Sequence, residues 1–416
     1  MYKKQIAVED LELGMYVIEL DRPWLGTSFA FQGFYLISPE QIEELRACCK
    51  HVFIDTERER WTPGQRRAAS PGLQGSTVYE DRQPVESELV QAQEVFVSCE
   101  EAIRDTLESL KREAKLDADK LSAASHDITE SMERNPDAIL LLNRLHRKST
   151  YELRRAMDSS ITMIAFGRFL QFAKDRLEIL GLAGMLLDVG KVKIPDEVLN
   201  KAGMLSADEY QLMKSHVEHS VTLVREVNGK IPEAVHEIIL QHHERQDGSG
   251  YPRGLKGDEI SVDGSIAAIA DSFSALTSDR CFAEPMAPST ALSQLHAMRG
   301  KCFHEALVEQ FIQCVGIYPV GSAVEMNTGE IGIVMAQNPV RRLQPRVMLV
   351  LDRERKQLPH PQVILDLMRE PRSPSGEPYR IRRTLPMDRL PIDPNDFFIP
   401  WMRQERAASG SAQPKS

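Results

Sequence analysis

The sequence predicts a mainly α protein, with a small α+β module at its N-terminal end and a small β-subdomain towards its C-terminal end. Three observations lead to this fold class. Short apolar runs broken by glycines precede residue 63, helical spacing of apolar residues continues from 85 to 315, and β-branched or alternating runs follow Gly316. At 416 residues, the chain is expected to contain two or three domains.

Residues 1–63 are expected to form the N-terminal α+β module. A helix is expected over Pro39–Cys49, and three apolar runs are typical of strands: Met15–Ile18, Phe29–Ile37 and Val52–Ile54. The next segment, residues 64–84, is rich in Gly, Pro, Ser and charged residues, and it has little apolar surface to bury on ordering. We interpret this segment as a linker.

Residues 85–147 are expected to form a helical connector, in which four apolar residues recur at seven-residue spacing: Leu89, Phe96, Ile103 and Leu110. This pattern indicates either a helix packed on its own domain, which the shortness of the repeat favours, or a coil between two subunits. The second interpretation would make the protein a homodimer. Asn135 and Pro136 then break the helical pattern.

Residues 148–315 are expected to form the largest helical domain, in which Ser206 and Glu209 form a capping box and Pro232 begins a helix. Residues 316–402 are expected to form a β-rich extension with three strands: Ala323–Met326, Glu330–Ala336 and Val347–Leu351. Residues 403–416 have no apolar content to bury, so we expect a disordered tail.

The composition argues against several classes of protein. A formal net charge of -10 and the lack of a basic patch argue against DNA as a partner. No signal-peptide pattern and no run of about 18 apolar residues occurs, so we expect a cytoplasmic protein without a membrane span. The six cysteines form no CxxC pair, which indicates neither a zinc knuckle nor a disulfide framework.

Histidines and aspartates on separate predicted helices could converge on a metal ion in the bundle core: Asp188, His216, His242, His243 and Asp271. Imidazole and carboxylate ligands suit iron, manganese, nickel or zinc. His242 follows Val235 and Ile239 at helical spacing, so the buried face of that helix ends in an imidazole. Three other histidines are expected to be ordinary core or surface groups: His51, His219 and His236.

A loop with two glycines and a proline follows the histidine pair. We call it the GYP loop, and the residues that define its path are Asp247, Gly248, Gly250, Tyr251 and Pro252. Glycines and proline at these positions favour a sharp, defined turn over a floppy one. Together with the histidines the loop spells HHExxDGxGYP, a combination that a random sequence would rarely contain.

The blocks GLAGMLLDVGKVKIPDEVLNK, MKSHVEHS, HHERQDGSGYPRGLKGDEI and IAAIADSFSALTSDR resemble the signature blocks of the HD-GYP family over about Tyr151 to Cys314. Residues 1–63 resemble a small domain of unknown function that often precedes this domain. The segment 316–352 resembles the β-extension that follows it. The resemblance implies an HD-domain helical bundle that hydrolyses cyclic di-GMP with two or three ions of iron or manganese.

Carried over by position, the resemblance implies a role for each matching residue. Asp188 would bridge two metals and His216, His242 and His243 would complete one site, whereas Asp271 would serve the other metal. Lys191 would meet the substrate phosphate, so that Asp188 and Lys191 form the catalytic pair. Arg280 would lie near the same anionic ligand.

This sequence departs from the family pattern at one of the two metal positions. Leu187 stands where the histidine of the His-Asp pair belongs, and Tyr151 and Arg155 align with an acidic residue and a histidine. Ser274 and Cys281-Phe282-Ala283 replace a usual Asp and a usual Pro-Tyr-Arg. A guanidinium at Arg155 would repel a metal, but it could pair with the carboxylates or hold a phosphate.

The sequence therefore predicts a signalling protein of HD-GYP type that binds cyclic di-GMP, or a partner such as a GGDEF-type diguanylate cyclase domain, with weak or no hydrolysis. The expected cofactor is a divalent transition metal, iron or manganese, with one ion only or none. One alternative is a metal-dependent cyclic di-GMP phosphodiesterase that works with a reduced metal site. A second alternative is a structural scaffold whose imidazoles are ordinary core groups.

Overall fold

The computed structural model describes residues 3–21, 34–36, 39–56, 73–113, 115–146, 149–226, 231–278, 285–338, 341, 343–359, 361–385, 387 and 390. The chain divides into two compact units, Met1–Gln74 and Gly75–Ser416. Each unit has its own core and is described by itself.

The first unit is the predicted α+β module. Its elements are β1 (Lys3–Ala7), β2 (Tyr16–Leu20), β3 (Phe34–Tyr35), α1 (Pro39–Cys48) and β4 (His51–Asp55). The strands form an antiparallel sheet in the order β1-β4-β2-β3, with a core that includes Val17, Leu45 and Val52. The sequence did not predict β1, because its residues are mostly polar and exposed. Most of the expected run Phe29–Ile37 lies outside the described residues.

The second unit begins with the helical domain. Its α-helices are α2 (Val85–Glu113), α3 (Ala118–Arg134), α4 (Pro136–Leu145), α5 (Tyr151–Phe169), α6 (Lys174–Leu186), α7 (Asp196–Leu199), α8 (Ala207–Lys214), α9 (His216–Arg225), α10 (Glu233–Gln241), α11 (Val262–Thr277), α12 (Pro288–Ala297) and α13 (Glu305–Val315). Asn135 separates α3 from α4 and caps α4 with its side chain, and Ser206 and Glu209 form the expected capping box of α8.

The heptad residues of α2 lie inside this unit. Leu89, Phe96, Ile103 and Leu110 are all buried, and α2 packs against α3 and α4. The interpretation of α2 as a helix packed on its own domain therefore fits the structure, since its apolar face is already covered. The expected connector, residues 85–147, contains α2, α3 and α4, and it lies in the same compact unit as the other helices.

The expected linker is ordered where the structure describes it. Gly75 N and Thr77 N donate hydrogen bonds to the carbonyls of Leu170 and Gln171, and Tyr79 Oη donates to the Phe172 carbonyl at 2.7 Å. The composition suggested a flexible segment, but the end of α5 supplies hydrogen-bond partners that the segment lacks by itself. Residues 75–79, inside the expected linker, are therefore hydrogen-bonded to the chain that follows α5.

The β-subdomain contains β5 (Ala323–Met326), β6 (Ile331–Ala336), β7 (Arg346–Leu351), β8 (Ile364–Asp366) and β9 (Ile381–Leu385) in the antiparallel order β8-β7-β6-β5-β9. The first three strands match the predicted runs. The sequence did not predict β8, which has three residues, or β9, which carries two exposed arginines. The expected tail, 403–416, lies outside the described residues. Within those residues, no helix has the length and apolar character needed to cross a membrane.

Candidate metal centre

Asp188 lies directly after α6, where the chain turns into a 3-10 helix (Val189–Lys193). Ser220 on α9 holds this turn, because its hydroxyl accepts a hydrogen bond from Gly190 N at 2.8 Å and donates one to the Leu187 carbonyl at 3.0 Å. A Cβ at Gly190 would lie 2.1 Å from the His216 carbonyl oxygen, so only glycine allows this approach. The Asp188 carboxylate is thus placed beside α9.

Two imidazoles are oriented by backbone carbonyls. His216 Nδ1 lies 2.7 Å from the Met213 carbonyl oxygen, and His242 Nδ1 lies 2.6 Å from the Ile239 carbonyl oxygen. Because a carbonyl only accepts, each Nδ1 is the donor and each neutral ring keeps a lone pair on Nε2. This arrangement is typical of histidines that bind a metal through Nε2.

Four side chains then meet in the core. One ligand atom each from Asp188, His216, His242 and His243 lies within 4.8 Å of the others, and His216 Nε2 is 3.3 Å from Asp188 Oδ1. Three of these atoms are buried without a hydrogen-bond partner: Asp188 Oδ1, His216 Nε2 and His242 Nε2. Buried polar atoms are rarely left unpaired, so this donor set fits a divalent transition metal.

The protonation states suit a metal. Burial lowers the pKa of His242 to about 4 and holds the pKa of His243 well below its usual value, so both rings are neutral at neutral pH. Burial opposes ionisation of Asp188, but Lys191, His216 and Arg155 outweigh it and hold the pKa of this carboxyl well below its usual value. A carboxylate and neutral imidazoles are the forms that bind a cation.

Asp271 is placed differently from the other predicted ligands. It lies on α11, and its carboxylate pairs with Arg155 Nη2 from α5, while Arg155 Nη1 donates to the Asp271 carbonyl at 3.0 Å. The same Nη2 is 3.8 Å from Asp188 Oδ2. Burial alone would lower the pKa of Arg155, but Asp271 and Asp188 raise it, so the guanidinium stays charged. The pairing that the sequence suggested for Arg155 is therefore present.

The other departures that the structure describes add no metal ligand at this position. Leu187 is buried and aliphatic, and Tyr151 lies at the exposed start of α5. Ser274 Oγ donates to Asp158 Oδ2 at 3.3 Å. Among the residues that the structure describes, the second metal position therefore has one guanidinium and two carboxylates already paired with it, which does not fit a second divalent ion.

Lys191 Nζ lies 2.7 Å from Asp188 Oδ2, so the structure brings the predicted catalytic pair together. Arg280 and the segment Cys281-Phe282-Ala283 lie outside the described residues.

The GYP loop contacts the centre through Tyr251. Its ring stacks on His243 with 4.7 Å between the ring centroids, and burial raises the pKa of its hydroxyl. Gly248 has a φ of +79°, and a Cβ at Gly250 would lie 2.4 Å from Arg245 N, so both positions favour glycine. Asp247 Oδ1 accepts a hydrogen bond from Ser249 N at 3.0 Å. Pro252 completes the turn.

The sequence analysis missed Glu244. This buried carboxylate accepts hydrogen bonds from Arg253 N at 2.7 Å, Gly254 N at 3.1 Å and Leu255 N at 3.0 Å, so it holds the exit of the GYP loop. The signal that could have found it is a glutamate directly after a histidine pair at the end of an apolar helix face, where an unpaired charge would be costly. His51, His219 and His236 are not part of the metal-binding cluster, which is the one such group within the described part of the chain.

The chain matches three family profiles: an HD domain over residues 88–307, a domain of unknown function (DUF3391) over 3–121, and a KOW domain associated with the HD domain over 323–373. It is 30% identical over 372 residues to a cyclic di-GMP phosphodiesterase of Pseudomonas aeruginosa, covering 88% of this chain and 89% of the relative.

A 3'3'-cGAMP-specific phosphodiesterase of Vibrio cholerae is 39% identical over 141 residues, covering 34% of this chain and 27% of the relative. Among solved structures, an HDG"Y"P protein of Bdellovibrio bacteriovorus aligns with a TM-score of 0.45 at 15% identity, covering 75% of this chain and 99% of that chain.

Proposed function

Because this chain belongs to the HD-domain family, with a DUF3391 domain before the HD domain and relatives that are cyclic di-GMP phosphodiesterases, we propose that it is an HD-GYP-type signalling protein that binds cyclic di-GMP or a signalling partner with weak or no hydrolysis. The observation that carries this proposal is the Arg155 guanidinium, which pairs with Asp271 and lies 3.8 Å from Asp188.

The residues that would hold a metal ion are Asp188, His216, His242 and His243, and the ion expected there is iron or manganese. A bound divalent ion supplies an acidified water and a positive charge for developing oxyanions. Asp271 is not available as a ligand while Arg155 holds its carboxylate. The proposed centre therefore has one ion, not two.

A one-ion centre should hydrolyse a phosphodiester slowly. In a two-ion site, both ions share the charge on the attacking and the leaving oxygens. If the missing ion supplied roughly 4 to 6 kcal/mol of transition-state stabilisation, the rate would fall by about three to four orders of magnitude. Arg155 brings one positive charge to this position, but its hydrogen bonds to Asp271 leave fewer donors for a substrate oxygen.

Binding of a phosphate, in contrast, remains supported by the charges at the site. Lys191 is partly exposed beside Asp188, and a lysine at this position can contact a phosphate oxygen without leaving the carboxylate. Arg155 and Arg280 are the other proposed contacts. For a protein partner, the GYP loop offers the half-buried Tyr251 and the exposed Arg253, which are residue types enriched at interface hot spots.

The test combines metal analysis, binding and turnover on one preparation. Protein loaded anaerobically with iron or manganese is titrated with cyclic di-GMP, and with 3'3'-cGAMP as a comparison, while the release of linear dinucleotide is followed. We expect saturable binding of one dinucleotide with little product. Turnover of about one per second or faster would contradict the proposal.

The second candidate is an active phosphodiesterase with a reduced metal site, which the intact set of four donors favours. It predicts measurable turnover that disappears when His243→Ala removes a donor. If neither metal content nor turnover changed in this variant, the cluster would not be the catalytic centre, and a scaffold role would remain.

A further inference from the structure

A lysine at the end of α8, Lys214, lies against the GYP loop. Its Nζ is 5.3 Å from the centroid of the Tyr251 ring and 4.6 Å from the centroid of the Tyr210 ring. The Tyr251 ring also stacks on His243, which belongs to the metal-binding cluster. The Lys214 ammonium is therefore linked to the candidate metal centre through one tyrosine ring.

The charge of Lys214 is not neutralised by any residue that the structure describes. Within this part of the chain, its side chain contacts the two tyrosine rings and forms neither an ion pair nor a hydrogen bond. A ring face attracts a cation but does not cancel its charge. Lys191, in contrast, pairs with the Asp188 carboxylate. Lys214 is thus a half-buried cation that can balance the charge of a ligand.

The backbone at Lys214 is held in place relative to the metal donors. Only Ser215 lies between Lys214 and His216, where α8 ends and α9 begins. The Ser215 hydroxyl donates to the Leu212 carbonyl at 2.7 Å. His216 Nδ1 donates to the Met213 carbonyl at 2.7 Å. A metal donor and the unpaired lysine are therefore fixed on one short stretch of chain.

Hydrogen bonding at the helix end does not explain this placement. A lysine in the last turn of a helix commonly donates to the free carbonyls there. In α8, however, these carbonyls accept hydrogen bonds from Ser215 and His216. Among the described residues, Lys214 Nζ donates to none of them and lies over the tyrosine rings instead.

The ligand of the proposed function carries two charges. A cyclic dinucleotide has two phosphodiester groups, and its closed ring keeps them apart. One group would contact the metal ion and Lys191, so the other needs a separate cation. An ammonium with three donors is a common partner of phosphate oxygens. On the basis of the function proposed above, we propose that Lys214 binds the second phosphate group of the dinucleotide.

The test compares two ligands by calorimetric titration into the metal-loaded full chain. Cyclic di-GMP has two phosphodiester groups, whereas the linear dinucleoside monophosphate GpG has the same two guanosines and one such group. Lys214→Met should weaken the binding of cyclic di-GMP about ten-fold and leave the affinity for GpG unchanged, because only the second phosphate loses its cation. Lys214→Arg keeps the charge and should recover most of the affinity.

Lys356→Met is the matched control. It removes the same charge from an exposed lysine of the β-subdomain, which pairs with Glu354. Its affinity for cyclic di-GMP should equal that of wild type. Lys214→Met should also keep the metal content and the thermal stability of wild type, because Lys214 is not a metal donor. A loss of bound metal in this variant would indicate a structural role and overturn the proposal.

Three further outcomes would overturn the proposal and leave the proposed function intact. Cyclic di-GMP could bind Lys214→Met as tightly as wild type, both ligands could lose affinity equally, or Lys214→Arg could bind as weakly as Lys214→Met. Equal loss would mean that Lys214 contacts a base or a sugar. If wild type showed no saturable binding of cyclic di-GMP, the proposed function itself would be contradicted, and the role of Lys214 with it.

Discussion

A buried guanidinium, that of Arg155, lies between two carboxylates in the core of the helical domain. Taking these charges out of water is costly, and their mutual attraction offsets this cost only while the pair is intact. Removing the guanidinium alone would leave the Asp271 carboxylate buried and uncompensated. Replacing both partners by apolar side chains would leave no buried charge without a partner. Stability should therefore depend on the pair and not on Arg155 by itself.

Arg155→Met is expected to lower the free energy of unfolding by about 3 to 5 kcal/mol in the presence of EDTA. The double variant Arg155→Met/Asp271→Leu should recover most of this loss, because no unpaired carboxylate remains. Urea unfolding followed by circular dichroism measures the free energy of unfolding of both variants. A loss below about 1 kcal/mol in the single variant would mean that the pair is not desolvated as the structure shows.

His216→Ala should lower the bound iron or manganese from about one ion per chain to near zero, since it removes one of four donors. His219→Ala is the matched control, because His219 lies on the same helix but outside the cluster. Elemental analysis after anaerobic loading and desalting gives the number of metal ions bound per chain. Equal metal content in the two variants would argue against a metal site at this cluster.

At the scale of elements, the GYP loop depends on the end of the helix before it. Glu244 accepts three backbone N–H groups from the loop exit, and Tyr251 stacks on His243 at the loop centre. A change in the loop should therefore reach the metal-binding cluster through His243. The glycines allow the path of the loop, but the carboxylate supplies its hydrogen bonds.

Glu244→Gln is expected to destabilise the loop by about 1 to 3 kcal/mol, because one acceptor oxygen becomes an NH₂ group that faces backbone donors. Amide hydrogen exchange of residues 245–255 should rise, and limited proteolysis should cut there first. Glu237→Gln serves as the control, since Glu237 forms a partly exposed pair with Arg253 that is worth roughly 0 to 1 kcal/mol. Similar exchange in the two variants would count against this role of Glu244.

In the second unit as a whole, polar contacts connect the helical domain to the β-subdomain, and one of them involves a buried carboxyl. Asp137 Oδ2 accepts a hydrogen bond from Gln337 N at 3.0 Å, and Arg346 pairs with Glu86. Burial raises the pKa of Asp137 from 3.8 to about 7, because desolvation outweighs the hydrogen bond and the nearby arginines. This contact should therefore make stability depend on pH.

A carboxyl whose folded pKa is raised binds its proton more tightly in the folded state. The resulting stabilisation is fully present below pH 3.8 and is lost as the pH rises to about 7, with a change on the order of 4 kcal/mol. Asp137→Asn keeps an acceptor for Gln337 N but does not titrate. Unfolding free energies measured between pH 4 and 8 should therefore fall for wild type relative to this variant. Parallel curves would refute the raised pKa.

Several elements could be predicted because their pattern is local. The β5, β6 and β7 strands have apolar, largely β-branched runs, and the capping box of α8 needs only two residues three positions apart. The segment 75–79 could not be predicted, because its hydrogen-bond partners lie at the end of α5, about ninety residues later. Likewise, the sequence pattern of the α2 heptad does not say which surface covers it, and in the structure α2 packs against α3 and α4.

The fold class, the family and the kinds of donor available to a metal could all be predicted from the amino-acid sequence, since they follow from periodicity and from motifs along the chain. How the donors divide could not be predicted in this way: Asp188 lies with three imidazoles, whereas Asp271 pairs with Arg155. The role of Glu244 in holding the GYP loop also depends on the three-dimensional fold. Charge pairing and hydrogen bonding act over a few ångströms in space, and the packing of distant helices sets those distances.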